Sequence, residues 1–227
     1  MERLLTTALF LTVLTSSPAL ASIVTYTSST AFEAALAGAP TLVENYGTLS
    51  AGTLIGPGST LDGITYTSFN LGSSSTQDGI ISGQFNSFSG VSLGADQNND
   101  AAEFFFDGES FDISFAPIYA IGVFFNVNAN SGTFGILTSA GNASTGSSSY
   151  DTSTFVFAGL ISSTPFTSAE IFSTSGGNGT ASFNVPEIIL APTATPEPAA
   201  LTMTASGFGL LAAFLLLRRR RSTLLVS

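Results

Sequence analysis

A continuous apolar segment near the C-terminus, followed directly by four arginines, constrains this chain more than any other feature. It runs over residues 199–217, which is 19 residues (217 − 198), and its polar side chains are three hydroxyls. A helix rises about 1.5 Å per residue, so about 20 residues cross a bilayer. By the positive-inside rule, the arginines hold residues 218–227 in the cytoplasm as a basic tail and leave the N-terminal end of the helix outside. The sequence therefore predicts a single transmembrane helix, stopped by Arg218, Arg219, Arg220 and Arg221.

The N-terminus has the three parts of a secretory signal peptide. Arg3 supplies a basic start, residues 4–14 form a short apolar run, and Ala19-Leu20-Ala21 forms an Ala-x-Ala cleavage site. The apolar run is too short to span a membrane. We therefore predict that residues 1–21 are a signal peptide, cleaved after Ala21.

A proline-rich triplet directly precedes the predicted transmembrane helix. Pro196-Glu197-Pro198, together with the helix and its arginine stop, resembles the PEP-CTERM sorting signal of exported bacterial proteins. In common members Val precedes the triplet and Ser or Thr follows it, whereas Thr195 and Ala199 occupy those places here. The resemblance implies that an exosortase, a membrane-embedded cysteine transpeptidase, reads the triplet and removes the helix. It also implies export across the inner membrane, a transient single-pass state, and a final place at the cell surface or in extracellular polysaccharide matrix.

Between the two signals the chain carries no cationic side chain. Its basic residues are all arginines, at Arg3 and in the C-terminal stop, so residues 22–195 contain 13 carboxylates, the chain's 15 less Glu2 and Glu197, and no Lys, Arg, His or Cys. Nucleic-acid binding depends on neutralising phosphates and is therefore excluded. Histidine- and lysine-based catalysis, zinc sites of the usual kind and disulfides are excluded as well. A carboxylate pair is the one common catalytic device left, and we predict that the protein is not an enzyme.

Short apolar segments separated by Gly, Ser and Asn predict a mainly β domain over residues 22–190, followed by a linker at 191–198 that holds the sorting motif. We expect an antiparallel two-sheet sandwich of the jelly-roll type. A capping box at Thr30 and Glu33 predicts one short helix, Ala31 to Ala37. Asp107-Gly108 predicts a hairpin between residues 103–106 and 109–115. The remaining predicted strands cover residues 23–27, 42–46, 64–69, 118–127, 134–137, 154–160, 166–172 and 181–190.

An acidic cluster between residues 96 and 112 contains candidate metal ligands. Six of the 13 carboxylates lie in this stretch of 17 residues (112 − 95). Asp96, Asn98 and Asp100 place alternate oxygen donors along a loop, as calcium sites do. Ala101 stands where an EF-hand loop requires glycine, so an EF-hand is excluded. A structural calcium site and a solvated Asn/Asp turn both remain open, and we favour the turn. No other cofactor is predicted.

Two functions fit these observations. The one we prefer is a structural protein displayed at the cell surface or shed into the matrix. The alternative is a lectin-like carbohydrate-binding module, because jelly-roll sandwiches often present a sugar-binding face. Sugar binding relies on exposed aromatic rings. With no Trp in the chain, the candidate rings are Tyr26, Tyr46, Tyr66, Tyr119 and Tyr150. The predicted partners are an exosortase, the membrane before processing, and extracellular polysaccharide.

Overall fold

The computed structural model describes residues 22–72, 77–83, 90–96, 104–128, 132–146, 154–175 and 182–193. Within these residues the chain forms one helix and 13 strands. In chain order they are β1 (Ile23–Tyr26), α1 (Ser29–Leu36), β2 (Leu42–Glu44), β3 (Leu54–Ile55), β4 (Thr60–Leu61), β5 (Ile64–Asn70), β6 (Gly79–Ser82), β7 (Ser92–Ala95), β8 (Phe105–Phe106), β9 (Ser110–Asn128), β10 (Gly132–Thr138), β11 (Asn142–Ser144), β12 (Thr154–Ser175) and β13 (Ser182–Ala191).

The prediction of a mainly β, antiparallel domain with one short helix is confirmed. The predicted signal peptide with Ala19 and Ala21, the triplet Pro196 to Pro198, the apolar segment and the arginine stop lie outside the described residues. Among the residues that are described, no helix is both long and apolar enough to cross a bilayer.

Two long strands, β9 and β12, organise the sheet. They pair with each other twice, first where residues 154–161 of β12 face 127–120 of β9, and again, after a register shift, where residues 166–172 face 118–110. The first segment lies in what we call the helical half, with the order β2-β13-β9-β12-β1. The second segment lies in what we call the open half, with the order β4-β5-β9-β12-β10-β11.

The main core lies where the inward faces of the two halves meet. The rings of Phe125 and Phe183, from the helical half, contact the ring of Phe134, from the open half, at centroid distances of 5.7 and 5.4 Å. The rings of Phe105 and Phe111 stack at 5.2 Å in the same core. All five side chains are buried. Phenylalanine therefore supplies the core volume in a chain that has neither Trp nor Cys.

The helix covers the outward face of the helical half. Phe32 and Leu36 are buried there against residues of β9, β12 and β13. Gly122 and Gly159 are direct partners across β9 and β12. A Cβ added to Gly159 would come within 2.8 Å of the Phe32 ring, and one added to Gly122 within 3.0 Å. The absence of side chains at these two glycines therefore lets the Phe32 ring pack directly on the sheet backbone.

The helix begins earlier than the capping box predicts. Ser28 is the N-cap, and its side chain accepts a hydrogen bond from the Ala31 backbone N–H at 3.4 Å. At the other end Ala37 takes the left-handed conformation (φ 51°), followed by Gly38 (φ 77°), which was predicted to stop the helix. Thr30 is thus inside the helix, and the prediction of a cap at that residue is wrong by two positions.

The predicted strands at 109–115 and 118–127 form one strand, β9, and those at 154–160 and 166–172 form one strand, β12. The predicted hairpin at Asp107-Gly108 is also wrong. Pro117 does not end a strand, because its ring is exposed on β9 at the place where β9 passes from one half to the other. Residues 162–165, where a turn was expected, lie within β12 at the shift in its register with β9. At Asp107-Gly108 the chain does turn, with the Glu109 N–H donating to the Phe106 carbonyl, but β8 pairs with β13 instead of β9.

Candidate binding groove

The residues predicted to bind calcium are only partly placed by the structure. Asp96 follows β7, and its backbone N–H donates to the Asp78 carbonyl at 2.9 Å. Asn98 and Asp100 lie outside the described residues. No group of three carboxylates in the described part of the chain is close enough to hold a metal ion. The calcium site stays a prediction.

Two of the five tyrosines predicted to be exposed are not available for sugar stacking. Tyr46 and Tyr66 are fully buried, and the Tyr66 hydroxyl donates to the Tyr46 hydroxyl at 3.0 Å. Burial raises the pKa of both phenols. Tyr26 and Tyr119 are half-buried, and Tyr150 lies outside the described residues. The prediction is wrong for these two residues. Tyr66 lies on β5, where register decides which face a side chain takes, and residue type does not reveal register. Tyr46 follows β2 in the left-handed conformation (φ 57°), with its ring in the core.

The outward face of the open half carries a groove of about 580 Å³. In the described part of the chain no helix packs on this face, since α1 lies on the helical half. Strands β5, β9, β10 and β12 supply its floor, and the turn between β8 and β9 supplies one end. The lining residues are Asn70, Asp107, Gly108, Ser110, Leu137, Glu170, Phe172, Ser173 and Thr174.

Strand alternation explains why polar side chains reach the groove. In β9, Phe111 and Ile113 are buried in the core. Ser110 and Asp112 therefore face outward, because successive side chains point to opposite faces. In β12, Ile171 is buried, so Glu170 and Phe172 face outward.

The outward residues form two rows across the sheet. Cα pairing places Asn70, Ser110, Phe172, Gly135 and Ser144 in the first row, and Ser68, Asp112, Glu170, Leu137 and Asn142 in the second. The rows are two residues apart along each strand, about 6–7 Å. The first row is therefore aromatic and polar, and the second is acidic with one apolar side chain.

Phe172 is the aromatic side chain that lines this groove. A Cβ added to its partner Gly135 would lie 2.6 Å from Cζ of Phe172, so the ring lies across the glycine and packs on the sheet. The side chain is half-buried, and Leu137 beside the groove is 48% exposed. A ring held in this way offers a rigid apolar surface at the floor.

Two carboxylates line the groove with that ring, and a third neighbours one of them in the sheet. Glu170 and Asp107 line the groove, and Asp112 is the direct cross-strand partner of Glu170. Asp112 accepts a hydrogen bond from the Ser68 hydroxyl at 2.5 Å. Oδ1 of Asp107 is buried and has no hydrogen-bond partner within the described residues. The groove is thus acidic, and no Lys, Arg or His occurs between residues 22 and 195 to neutralise it.

A second exposed aromatic surface flanks the helix on the other half. Phe155 is 50% exposed, and with Phe124 it borders a cleft of about 460 Å³ that includes Pro186 and Glu187. Burial, and secondarily the nearby Glu33, raise the pKa of Glu187. This cleft is mainly apolar and has one carboxylate, so it differs in chemistry from the groove.

The sequence analysis missed Phe172 and Glu170 as site residues. A period-two pattern around Ile171 indicated their outward direction. The pattern could not show that β5, β9 and β10 would align Asn70, Asp112 and Leu137 beside them, since these pairings join distant residues, such as Ser110 and Phe172, which are 62 positions apart (172 − 110).

No family model matches the sequence, and no curated protein matches it. Among solved structures, the chain is similar to the CBM51-2 and INT domains of Clostridium perfringens ZmpB, with 10% sequence identity and a TM-score of 0.32. The similarity covers 66% of this chain and 31% of that one. A likeness this weak carries no argument, and the groove is interpreted from its own residues.

Proposed function

We propose that this chain is an exported, non-enzymatic protein of the cell surface or extracellular matrix, and that its β domain binds polysaccharide in the groove of the open half. The groove is the observation that carries the proposal. It combines a packed aromatic ring with carboxylate, amide and hydroxyl groups on an open sheet face. An apolar ring face with a few convergent polar groups is the chemistry that recognises a sugar, whose ring has apolar C–H faces and a polar rim.

The architecture we propose is the two-sheet β-sandwich of the jelly-roll type. Its support is the contact between Phe rings of the helical and open halves across the core, together with the two strands that run through both halves. In such a sandwich the outward faces are free of core packing, so one can carry the helix and the other a ligand.

Delivery to the cell exterior rests on the two terminal signals. We propose that Ala21 is the last residue of the signal peptide and that an exosortase acts at Pro196, Glu197 and Pro198. The intact mass of the protein recovered from the cell exterior tests this. The expected mass is that of a chain that begins at Ser22 and lacks residues 199–227. Recovery of the full-length chain from the cytoplasm would overturn the proposal.

Sugar binding is tested with the purified domain, residues 22–195. Binding is measured as retarded migration in native gels that contain soluble polysaccharides and as retention on an array of glycans. We expect a saturable ligand for the wild type. Replacing Phe172 by Ala removes the stacking surface and should weaken binding at least about tenfold, or about 1.4 kcal/mol. Phe155→Ala is the matched control, since it removes a half-exposed ring from the opposite half.

The purely structural role and the sugar-binding role give different outcomes. If no polysaccharide is retained, the groove proposal is overturned and the structural role stands alone. If Phe155→Ala weakens binding and Phe172→Ala does not, the ligand lies in the cleft beside the helix instead.

A further inference from the structure

The charge of the groove indicates which polysaccharides it accepts. Resting on the proposed function, we infer that the groove selects sugars that carry free amino groups, such as glucosamine polymers, over neutral and acidic ones. Asp107 and Glu170 line the groove together with the Phe172 ring, and Asp112 is the cross-strand neighbour of Glu170.

The first argument is the pairing of Asp112 with Glu170. These residues are direct cross-strand partners in β9 and β12, on the outward face. Side chains so placed have Cβ atoms about 4.5–5.5 Å apart, and like charges there destabilise a sheet. Asp112 has a hydroxyl partner in Ser68, which does not neutralise its charge. A cation placed between the two carboxylates would remove the repulsion.

The domain itself has no side chain that could supply this cation. No Lys, Arg or His occurs anywhere in residues 22–195. The charge must therefore come from outside the domain. At the end of the groove Asp107 adds a third carboxylate, whose buried Oδ1 has no partner in the described residues.

The second argument is the aromatic ring beside these carboxylates. Phe172 immobilises the apolar face of a pyranose, and Glu170, two residues earlier on the same face, then lies at the rim of the bound sugar. An ammonium group on that rim would meet carboxylates on one side and the ring face on the other, and both attract a cation. An amino sugar would in addition pack its apolar C–H face on the ring and Leu137, a contact that a metal ion lacks.

Acidic polysaccharides are disfavoured by the same groups. A uronate or sulfate in the groove would face Asp107 and Glu170, with Asp112 next to Glu170, and would find no cationic side chain to receive it. Placing like charges together in a desolvated interface is strongly unfavourable. The groove therefore discriminates by charge as well as by shape.

The experiment compares three oligosaccharides of equal length with the domain 22–195 by calorimetric titration at low and physiological salt. They are a glucosamine hexamer, its N-acetylated counterpart and a galacturonate hexamer. We expect the glucosamine hexamer to bind at least about tenfold more tightly than the acetylated one, with an advantage that shrinks as salt screens the charges. The galacturonate hexamer should not bind.

Variants locate the effect in the groove. Glu170→Gln keeps the shape of the side chain and removes one charge, and it should reduce the preference for free amines at least about threefold, with less effect on the acetylated oligomer. Glu33→Gln changes the net charge equally on the exposed surface of the helix and should leave the preference unchanged. Phe172→Ala should weaken both oligomers together.

The outcomes separate this inference from the proposed function. Equal binding of the free and acetylated oligomers, sensitive to Phe172→Ala, would overturn the charge selectivity and leave polysaccharide binding intact. Binding that Glu33→Gln weakens as much as Glu170→Gln would show general attraction to an acidic protein and would also overturn it. Absence of binding to every oligomer and polymer would overturn both.

Discussion

Asp112 and Glu170 are held together by the sheet although their charges repel. Their positions follow from the register of β9 and β12, which the buried Phe111 and Ile171 fix from the other face. A shift by one residue would place these aromatic and aliphatic side chains in solvent. The core therefore imposes the close approach of the two carboxylates, and the domain tolerates it.

The repulsion is measurable as a coupling free energy. We expect Glu170→Gln and Asp112→Asn each to raise the free energy of unfolding, and the double variant to gain less than the sum of the two. The coupling should be about 0.2–1 kcal/mol. Urea denaturation of the four proteins at low salt gives this value. A coupling of zero would show that the two carboxylates do not interact.

Glu44 is a buried carboxylate of a different kind. It is only 3% exposed, and Oε1 accepts the Tyr46 backbone N–H at 2.6 Å. Burial raises the pKa of Glu44, the hydrogen bond from Tyr46 opposes this, and the charge of Asp62 adds to it. The folded protein therefore holds a proton at Glu44 more readily than the unfolded chain does. Its contribution to stability is full below the pKa of the unfolded chain and is lost as the pH rises through the folded pKa.

We expect Glu44→Gln to stabilise the domain at pH 7, because Gln keeps the acceptor for Tyr46 and brings no charge into the interior. A gain on the order of 1 kcal/mol would raise the melting temperature by about 2–4 °C. The difference from wild type should shrink towards pH 4, where Glu44 is protonated. A difference that stays constant from pH 7 to pH 4 would contradict the explanation.

At the scale of elements, the helix depends on one ring and two glycines. Phe32 rests on Gly122 and Gly159, and its ring also contacts Phe157 at a centroid distance of 5.3 Å. The strands themselves do not require glycine at these two positions, since a strand interior is more stable with a side chain. Their absence of side chains is needed for the close approach of the helix.

We expect the effects of Gly159→Ala and Phe32→Ala on the free energy of unfolding to be non-additive. Gly159→Ala places a methyl group 2.8 Å from the Phe32 ring and 2.7 Å from that of Phe157. We expect it to destabilise the domain by about 1–3 kcal/mol, as overpacking does. Phe32→Ala alone should cost about 3–5 kcal/mol. In the Phe32→Ala background the added methyl group should cost less, which thermal melting of the four proteins measures. If the two effects simply add, the contact between Phe32 and Gly159 is not the cause of the destabilisation.

The sequence predicted most elements but not how they join. Short apolar segments between Gly, Ser and Asn located the strands near residues 64–70 and 182–191, because buried strands leave a local apolar pattern. The sequence could not show that 110–128 and 154–175 are single strands, because Pro117 and the Ser162–Pro165 stretch are breakers by local rules and are accommodated here by bends between two halves. The groove was unpredictable for the same reason, as it depends on cross-strand neighbours.

At the scale of the whole molecule, uncompensated negative charge dominates. The 13 carboxylates of residues 22–195 face no cationic side chain, so self-repulsion opposes the compact state. We expect the melting temperature of the domain to rise as NaCl increases from about 0.01 to 0.15 M, because the Debye length falls from about 30 to 8 Å. A melting temperature that is independent of salt would contradict this.

Calcium at matched ionic strength separates screening from a specific site. If Asp96, Asn98 and Asp100 hold an ion, calcium should raise the midpoint beyond the value in NaCl, by RT ln(1 + [L]/Kd), and a chelator should reverse it. If these residues form a solvated turn, the two salts should act alike. Asp96→Asn and Asp78→Asn make a matched pair, since only the first alters the predicted site.

The position of β13 has a mechanical consequence. This last described strand lies inside the sheet, bonded along one edge to β9 and along the other to β2, β7 and β8. Tension applied from the C-terminal side runs along the strand, so the ladders on both edges are loaded in shear and must rupture together. Pulling on that end should therefore meet more resistance than peeling away a strand at the edge of the sheet.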